Sequence, residues 1–101
     1  YAGPFRTVTP RTFAIRDDRI RFLQALVQLG FVGVVLDARG TPGRGKAFQD
    51  VAVASFGDHE IDDHLAALRQ LAASRPYLDL ERVGVFGISF GGYFAVRSLL
   101  R

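Results

Sequence analysis

The stretch Val83-Gly84-Val85-Phe86-Gly87-Ile88-Ser89-Phe90-Gly91-Gly92 (residues 83–92) joins an apolar run to a glycine-rich turn that contains one serine. The turn matches the pattern G-x-S-x-G, in which a serine stands at the sharp bend between a strand and a helix. Side chains two residues before and after the serine would collide across so tight a bend, and Gly87 and Gly91 remove that collision. The pattern therefore predicts Ser89 as an exposed nucleophile. The alternative is a glycine-rich turn that happens to contain a serine.

Periodicity outside this turn predicts an alternation of helices and strands. Apolar residues at helical spacing predict helices over 19–29 and 58–74, and a third helix from the serine turn to the last residue. Gly30 is expected to end the first of these helices. Continuous apolar runs at 31–36 and 82–86 are typical of strands buried on both faces. This order predicts an α/β fold in which crossover helices join parallel strands.

The number of predicted elements is too small for a complete sheet, because a buried parallel pair needs neighbours at its edges and helices on both faces. We therefore expect residues 1–101 to be part of one larger domain, truncated at both ends. The absence of cysteine excludes disulfides and thiolate metal sites. No apolar run approaches the ~20 residues of a membrane span. The net charge of +3 is mild, and its interrupted basic residues are typical of a solvated surface and not of a nucleic-acid interface.

Catalysis by Ser89 would need further groups. A serine hydroxyl is a weak nucleophile until a histidine removes its proton, and that histidine needs an orienting carboxylate. Both partners follow the serine in folds with this turn, yet the twelve residues after Ser89 include no Asp, Glu or His. His59 and His64 precede it, and we expect them at the surface or at a helix start. The triad is thus expected to be incomplete and the isolated chain inactive. The backbone N–H of Phe90 is the expected donor to the oxyanion.

Several separated motifs resemble the prolyl oligopeptidase family of serine peptidases. The resemblance implies a partial α/β-hydrolase fold for this chain. The motif at residues 1–4 is similar to that of the dipeptidyl peptidase IV-like branch of the family in particular. In chain order the motifs are Tyr1-Ala2-Gly3-Pro4, Asp37-Ala38-Arg39-Gly40, Phe56-Gly57, Glu60-Ile61-Asp62-Asp63, Ala67 and Gly87-Ile88-Ser89-Phe90-Gly91-Gly92-Tyr93.

The family resemblance also implies an activity. It implies hydrolysis of a peptide substrate through an acyl-enzyme on Ser89, without a cofactor or metal. It implies that the phenol of Tyr1 donates to the oxyanion beside the N–H of Phe90. Arg39 and Gly40 match a motif that shapes a loop, and we assign them no catalytic role. Finally, it implies a propeller domain ahead of this segment and a catalytic Asp and His beyond Arg101.

Other interpretations stay open on the residues alone. An esterase or lipase would share the Ser89 turn, because acyl-transfer chemistry does not distinguish an amide from an ester. A non-catalytic relative would keep the turn without a base. The loop Gly40–Lys46 satisfies the pattern G-x-x-x-x-G-K of nucleotide-binding proteins, although Ala47 lacks the hydroxyl that would hold Mg²⁺. The four carboxylates between residues 58 and 63 could suggest a metal site, but they are more simply interpreted as partners of a helix dipole.

Overall fold

The computed structural model describes residues 3–7, 9, 18–53 and 55–101. Within these ranges a short 3₁₀ turn is followed by α-helices of very different length. The elements are the turn Gly3–Phe5, α1 (Asp18–Gln28), α2 (Lys46–Asp50), α3 (His59–Ser74) and α4 (Phe90–Leu99). The helices predicted over 19–29, over 58–74 and after the serine turn are therefore confirmed in position.

Two details of the helix prediction are wrong. No helix was predicted over Lys46–Asp50, where the structure has α2, a five-residue helix that is too short to show an apolar periodicity. Helix α4 ends at Leu99 and does not reach Arg101. The N–H of Leu100 bonds to the carbonyls of Val96 and Arg97, each at 3.2 Å, and this shared bond closes the last turn.

The segments predicted as strands, 31–36 and 82–86, have no regular secondary structure, and the described residues contain no strand. No backbone hydrogen bond joins the two segments. Apolar side chains that were expected to be buried are exposed, with Phe31 at 60% and Val83 at 55%. A strand is defined by its bonds to a neighbouring strand, which an apolar run cannot supply by itself. The described residues therefore do not confirm the parallel strands of the predicted α/β fold.

Helix α1 ends at the expected glycine. Gly30 has φ +90°, and its N–H donates to the carbonyl of Val27 at 3.0 Å. The next N–H, that of Phe31, donates to the carbonyl of Leu26 at 3.2 Å. These two bonds form a Schellman motif, which satisfies carbonyls that the helix itself leaves unpaired.

One face of α1 contacts both predicted strand segments. Leu23 lies against the backbone of Gly33, where an added Cβ would come within 2.9 Å of the Leu23 Cδ2. Phe22 stacks on Phe86, with ring centroids 4.4 Å apart and planes 21° from parallel. Two adjacent residues of α1 thus contact one segment each.

Buried polar groups fix the loop that precedes α2. Asp37 is buried, and its carboxylate accepts hydrogen bonds from the backbone N–H and the hydroxyl of Thr9. Thr41 is fully buried, and its hydroxyl donates to the carbonyl of Ala38 at 3.0 Å. Because buried polar groups are costly unless they are paired, these bonds define the loop conformation closely.

Four acidic residues near the start of α3 each bind a specific partner. The pairs are Asp58 with Arg97 (2.6 Å), Glu60 with the backbone N–H of Gly57 (2.9 Å), Asp62 with Arg101 (3.0 Å) and Asp63 with Arg39 (2.6 Å). Their interpretation as partners of the helix dipole is therefore incomplete. Three of the carboxylates also tie the start of α3 to basic side chains from other parts of the chain.

The pair of Asp63 and Arg39 connects α3 to the loop after residues 31–36. The Arg39 side chain reaches both carboxylate oxygens, with Nε at 2.9 and 3.0 Å and Nη2 at 2.6 Å. Its backbone N–H donates to the same carboxylate at 2.9 Å. Burial would raise the pKa of Asp63, but the hydrogen bonds from Arg39 outweigh burial and hold that pKa below its ordinary value. The resulting stabilisation is present above the pKa of the unfolded chain and is lost as pH falls through the lower folded pKa.

This pH dependence is measurable at one amide. We expect Asp63→Asn to speed hydrogen exchange of the Arg39 N–H about tenfold at pH 7 in the intact protein. A bond to a charged acceptor contributes about 1.5–3 kcal/mol, whereas the neutral bond that the Asn amide oxygen can accept contributes about 0.5–1.5 kcal/mol. As pH is lowered, after correction for the intrinsic exchange rate, the difference between wild type and variant should shrink, because protonation of Asp63 removes the charge that strengthens the bond. Asp79→Asn removes an exposed pair with Arg82 and is the control that leaves Arg39 unchanged. Equal protection in wild type and Asp63→Asn at pH 7 would contradict the assignment.

The apolar core of the described residues is small. Its buried members are Ala38, Ala52, Ile61 and Phe94. Many larger apolar side chains are exposed instead, from both predicted strands and from α4. No helix in the described ranges is long and apolar enough to cross a membrane. So little apolar burial yields too little free energy to offset the entropy of ordering the backbone.

We therefore expect the isolated 101-residue chain to be poorly stable. It should bind the dye ANS and unfold over a broad temperature range, because its large apolar side chains lack neighbours. Circular dichroism during heating, with ANS fluorescence on the same sample, measures both properties. A sharp two-state transition of the monomer without dye binding would show that this interpretation of the exposed surface is wrong.

Candidate active site

Ser89 has an unusual backbone conformation. It occupies the N-cap position of α4 with φ 57° and ψ −121°, and it is the one residue other than glycine with positive φ among the described residues. Side-chain-bearing residues rarely adopt such angles, at a cost of about 1–3 kcal/mol. Ser89 is also exposed, so its hydroxyl stands at the surface at the start of the helix.

The turn around Ser89 is closed by the close approach of two glycines. A Cβ added to Gly87 would lie 2.1 Å from both the carbonyl carbon and the oxygen of Gly91. Real Cβ atoms do not come so close to backbone, and the two groups cannot move apart as a flexible side chain could. Gly91 is itself buried at this contact. The backbone that enters the turn at Gly87 therefore contacts the backbone that leaves it at Gly91, and only glycine fits at position 87.

Helix α4 begins at Phe90, directly after the serine. The N–H of Gly91 donates to the carbonyl of Ile88 at 3.0 Å, and that of Tyr93 donates to the carbonyl of Ser89 at 3.1 Å. The first N–H groups of a helix point away from its body, and the dipole places partial positive charge at this end. The hydroxyl of Ser89 and the N–H of Phe90 thus belong to adjacent residues at the positive end of α4.

The ring of Phe90 lies at the centre of an aromatic cluster. Its centroid is 5.7 Å from that of Phe5, 5.7 Å from that of Phe56 and 5.6 Å from that of Tyr93. The backbone of Gly3 lies against the same ring. Sequence reasoning assigned a role only to the N–H of Phe90, because aromatic residues so far apart in the chain show no common spacing.

One face of α4 packs against the loop at residues 56–58, which precedes α3. Residues 90, 93 and 97 are spaced to lie on that face. Besides the contact between the rings at 90 and 56, the hydroxyl of Tyr93 donates to the carbonyl of Phe56 at 3.0 Å. Arg97 Nη2 lies 2.6 Å from Asp58 Oδ1, and this hydrogen bond is the main reason that the pKa of Asp58 lies below its ordinary value. Sequence reasoning did not identify these contacts, although the motif Phe56-Gly57 had been singled out by resemblance.

The two histidines lie on α3. His59 is its first residue and is exposed, as expected. His64 is half-buried instead of lying at the surface, with its ring 4.7 Å from that of Phe94. Its Nδ1 donates to the carbonyl of Glu60 at 2.7 Å, and burial lowers its pKa. Tyr1, the other donor implied for the oxyanion, lies outside the described residues.

The remaining candidate sites gain no support. Lys46, the lysine of the nucleotide-binding pattern, forms an exposed ion pair with Asp50 one turn later in α2. The main-chain N–H of Gly40 donates to the carbonyl of Phe48 at 2.8 Å and so is committed to closing the loop. In the part of the chain that the structure describes, no group of three or more His, Asp or Glu side chains is arranged to hold a metal ion.

Comparison with known proteins adds a family assignment to this geometry. Dipeptidyl peptidase 8 of Mus musculus and that of Homo sapiens are each 40% identical over 102 aligned positions, which cover 100% of the chain and 11% of each relative. Dipeptidyl aminopeptidase B of Saccharomyces cerevisiae is 30% identical over 99 positions, which cover 98% of the chain and 12% of that protein. The chain therefore spans only about a ninth of the length of these curated relatives. No solved structure matches it significantly.

The chain also matches a sequence model that represents a whole family and not a single relative. The sequence model of the prolyl oligopeptidase family matches residues 19–101, which is most of the chain and includes the complete serine turn. Membership of this family implies an α/β-hydrolase fold. The chain belongs to the prolyl oligopeptidase family.

Proposed function

We propose that the chain is part of the catalytic domain of a serine peptidase and that Ser89 is its nucleophile. The observation that carries this proposal is the backbone of Ser89, with φ 57° and ψ −121° in an exposed turn at the start of α4. Strained residues of this kind persist only where surrounding contacts fix them, and they cluster at active sites. The approach of Gly87 to Gly91 supplies such contacts. The names of the relatives, dipeptidyl peptidase 8 and dipeptidyl aminopeptidase B, support a peptide substrate.

In the proposed reaction, Ser89 Oγ attacks the carbonyl carbon of the scissile peptide bond. A histidine from beyond Arg101, oriented by an Asp, takes the hydroxyl proton, and the electron pair of the carbonyl π bond moves onto its oxygen. Collapse of this tetrahedral intermediate breaks the C–N bond, and the leaving amine receives the proton from the histidine. Water then attacks the ester on Ser89 by the same steps and releases the acid. The chemistry needs no cofactor or metal.

Two donors would stabilise the negative charge of the intermediate. The N–H of Phe90 follows the nucleophile directly and starts α4, where the helix dipole favours an anion. The phenol of Tyr1 is the proposed second donor. Gly3, two residues after Tyr1, packs against the Phe90 ring, which is consistent with this role. Removal of one such donor in comparable enzymes costs about 10²–10³-fold in kcat.

We also propose how the chain fits into its domain. Residues 31–36 and 82–86 would be parallel strands of an α/β-hydrolase sheet whose other strands come from sequence outside residues 1–101. Their exposed apolar side chains and their shared contact with α1 support this arrangement. The parent protein would also carry a propeller domain ahead of this segment. The chain by itself would then be inactive, because its nucleophile has no base.

An esterase or lipase is the nearest alternative, because it would use the same nucleophile and oxyanion donors. Hydrolysis of a peptide amide by the parent protein, compared with its matching ester, separates the two. A non-catalytic relative would keep the Ser89 turn but lack the histidine. A nucleotide-binding role is disfavoured by the ion pair between Lys46 and Asp50.

The nucleophile can be tested by covalent labelling of the parent protein. A serine-directed phosphonate should modify wild type stoichiometrically, and Ser89→Ala should abolish the label, because the attacking oxygen is gone. Ser98→Ala is the matched control, since that hydroxyl lies on the same helix and donates to the carbonyl of Phe94 at 2.8 Å. Stoichiometric labelling of Ser89→Ala at another serine would refute the proposal.

The turn itself can be tested with two glycine variants of the parent protein. Gly87→Ala should slow phosphonate labelling of Ser89 about 100-fold or more, because the new methyl group would lie 2.1 Å from the backbone of Gly91 and displace the turn. Gly92→Ala, one residue further along in α4, should label within about twofold of wild type, since its added Cβ comes no closer than 3.4 Å to the oxygen of Gly87, an ordinary contact. Similar labelling rates for the two variants would show that the close approach at Gly87 does not set the position of Ser89.

A further inference from the structure

Tyr93 is bonded both to the nucleophile turn and to a distant part of the chain, although the proposed chemistry does not use it. Its main-chain N–H donates to the carbonyl of Ser89 at 3.1 Å and so closes the first turn of α4. Its hydroxyl donates to the carbonyl of Phe56 at 3.0 Å. One residue therefore connects the backbone of Ser89 to the loop at residues 56–58.

The peptide group between Phe56 and Gly57 is bonded at both of its ends. Its carbonyl accepts the hydrogen bond from the hydroxyl of Tyr93 in α4. Its N–H donates to Glu60 Oε2 in α3 at 2.9 Å. Glu60 is only 1% exposed, and a side chain packed so closely has little freedom to move. The hydroxyl of Tyr93 thus joins α4 to an acceptor whose position is fixed by α3.

Arg97 provides a second contact on the same face of α4, one turn further along. Its side chain lies across Gly57, where an added Cβ would come within 2.7 Å of Arg97 Cδ. Gly57 is buried and has φ +93°, so both the space and the backbone conformation favour glycine there. Arg97 Nη2 then reaches Asp58 Oδ1 at 2.6 Å. Two contacts about 6 Å apart along a helix fix its direction as well as its position, and that of Tyr93 is the nearer to Ser89.

We propose that Tyr93 is a positioning residue whose hydroxyl holds the first turn of α4, and with it Ser89, on the carbonyl of Phe56. This inference rests on the proposed function, in which Ser89 is the nucleophile. The φ of 57° at Ser89 is unfavourable and persists only where surrounding contacts fix it. A nucleophile also has to stay within about 0.5 Å of its productive position. Without the bond from Tyr93, the helix turn that carries the serine is freer to move.

Removal of one oxygen atom tests this role in the parent enzyme, because Tyr93→Phe keeps the ring. We expect kcat for a peptide substrate, and the limiting rate of phosphonate labelling at Ser89, to fall about 3–10-fold, which is the range that one neutral hydrogen bond supplies. KM should change less than about twofold, because a positioning residue does not contact the substrate. Tyr77→Phe is the matched control. It removes the same atom from a side chain that is 68% exposed, and both rates should stay within about twofold of wild type.

Two unnatural residues at position 93 separate the hydrogen bond from the shape of the side chain. 4-Aminophenylalanine keeps a donor at the same place and should restore both rates to within about twofold of wild type. 4-Methoxyphenylalanine keeps the oxygen but has no proton to donate, so it should be no faster than Tyr93→Phe.

The outcomes separate this inference from the proposed function. Unchanged rates in Tyr93→Phe would overturn the positioning role even if wild type is labelled at Ser89. A large rise in KM with constant kcat would instead place the phenol in substrate binding and equally overturn it. Failure of 4-aminophenylalanine to restore the rates would also overturn it, because loss of the bond to Phe56 would then not be the cause. Failure of wild type to be labelled at Ser89 would reject the proposed function itself.

Discussion

Between residues 87 and 91 the backbone folds back so tightly that a single methyl group at Gly87 would overlap the peptide group of Gly91. This steric constraint determines what surrounds it. It requires glycine on the incoming side, it forces Ser89 to positive φ, and it starts α4 directly afterwards. Because α4 begins at Phe90, the partial positive charge of the helix end lies beside the serine hydroxyl. A geometric restriction on four consecutive peptide units thus creates both the exposure of the hydroxyl and its electrostatic setting.

Around this turn the described chain is held together more by polar and aromatic contacts than by an apolar core. The start of α3 is the common point of these contacts. Asp63 binds Arg39 in the loop before α2, whereas Asp58 binds Arg97 near the end of α4. Such ion pairs have strict geometry, so they specify how the segments are oriented even where they add little stability. Close to the turn, the Phe90 cluster adds contacts of a second kind, through edge-to-face and tilted rings.

Local chemistry made part of this structure predictable. The glycine at residue 30, the acidic start and apolar spacing of α3, and the G-x-S-x-G turn each act over a few residues, and all three were placed correctly by sequence alone. The strands over 31–36 and 82–86 were not recovered, because strand formation depends on hydrogen-bonding neighbours at long range. The pairing of Asp63 with Arg39 and the cluster around Phe90 were also missed. Such contacts join residues far apart in the chain and have no characteristic spacing.

The dependence of Ser89 on its surroundings has a consequence for when the protein can act. Its backbone angles are unfavourable by themselves and are maintained by the close approach of Gly91 and by the docking of α4 on the loop at residues 56–58. In a chain in which α4 has not docked, these contacts are missing and nothing maintains the serine in that conformation. If Ser89 is the nucleophile, the unfolded or partly folded protein lacks an active site altogether. The exposed hydroxyl at the positive end of α4 would then be a product of folding, absent from any state in which the turn is open.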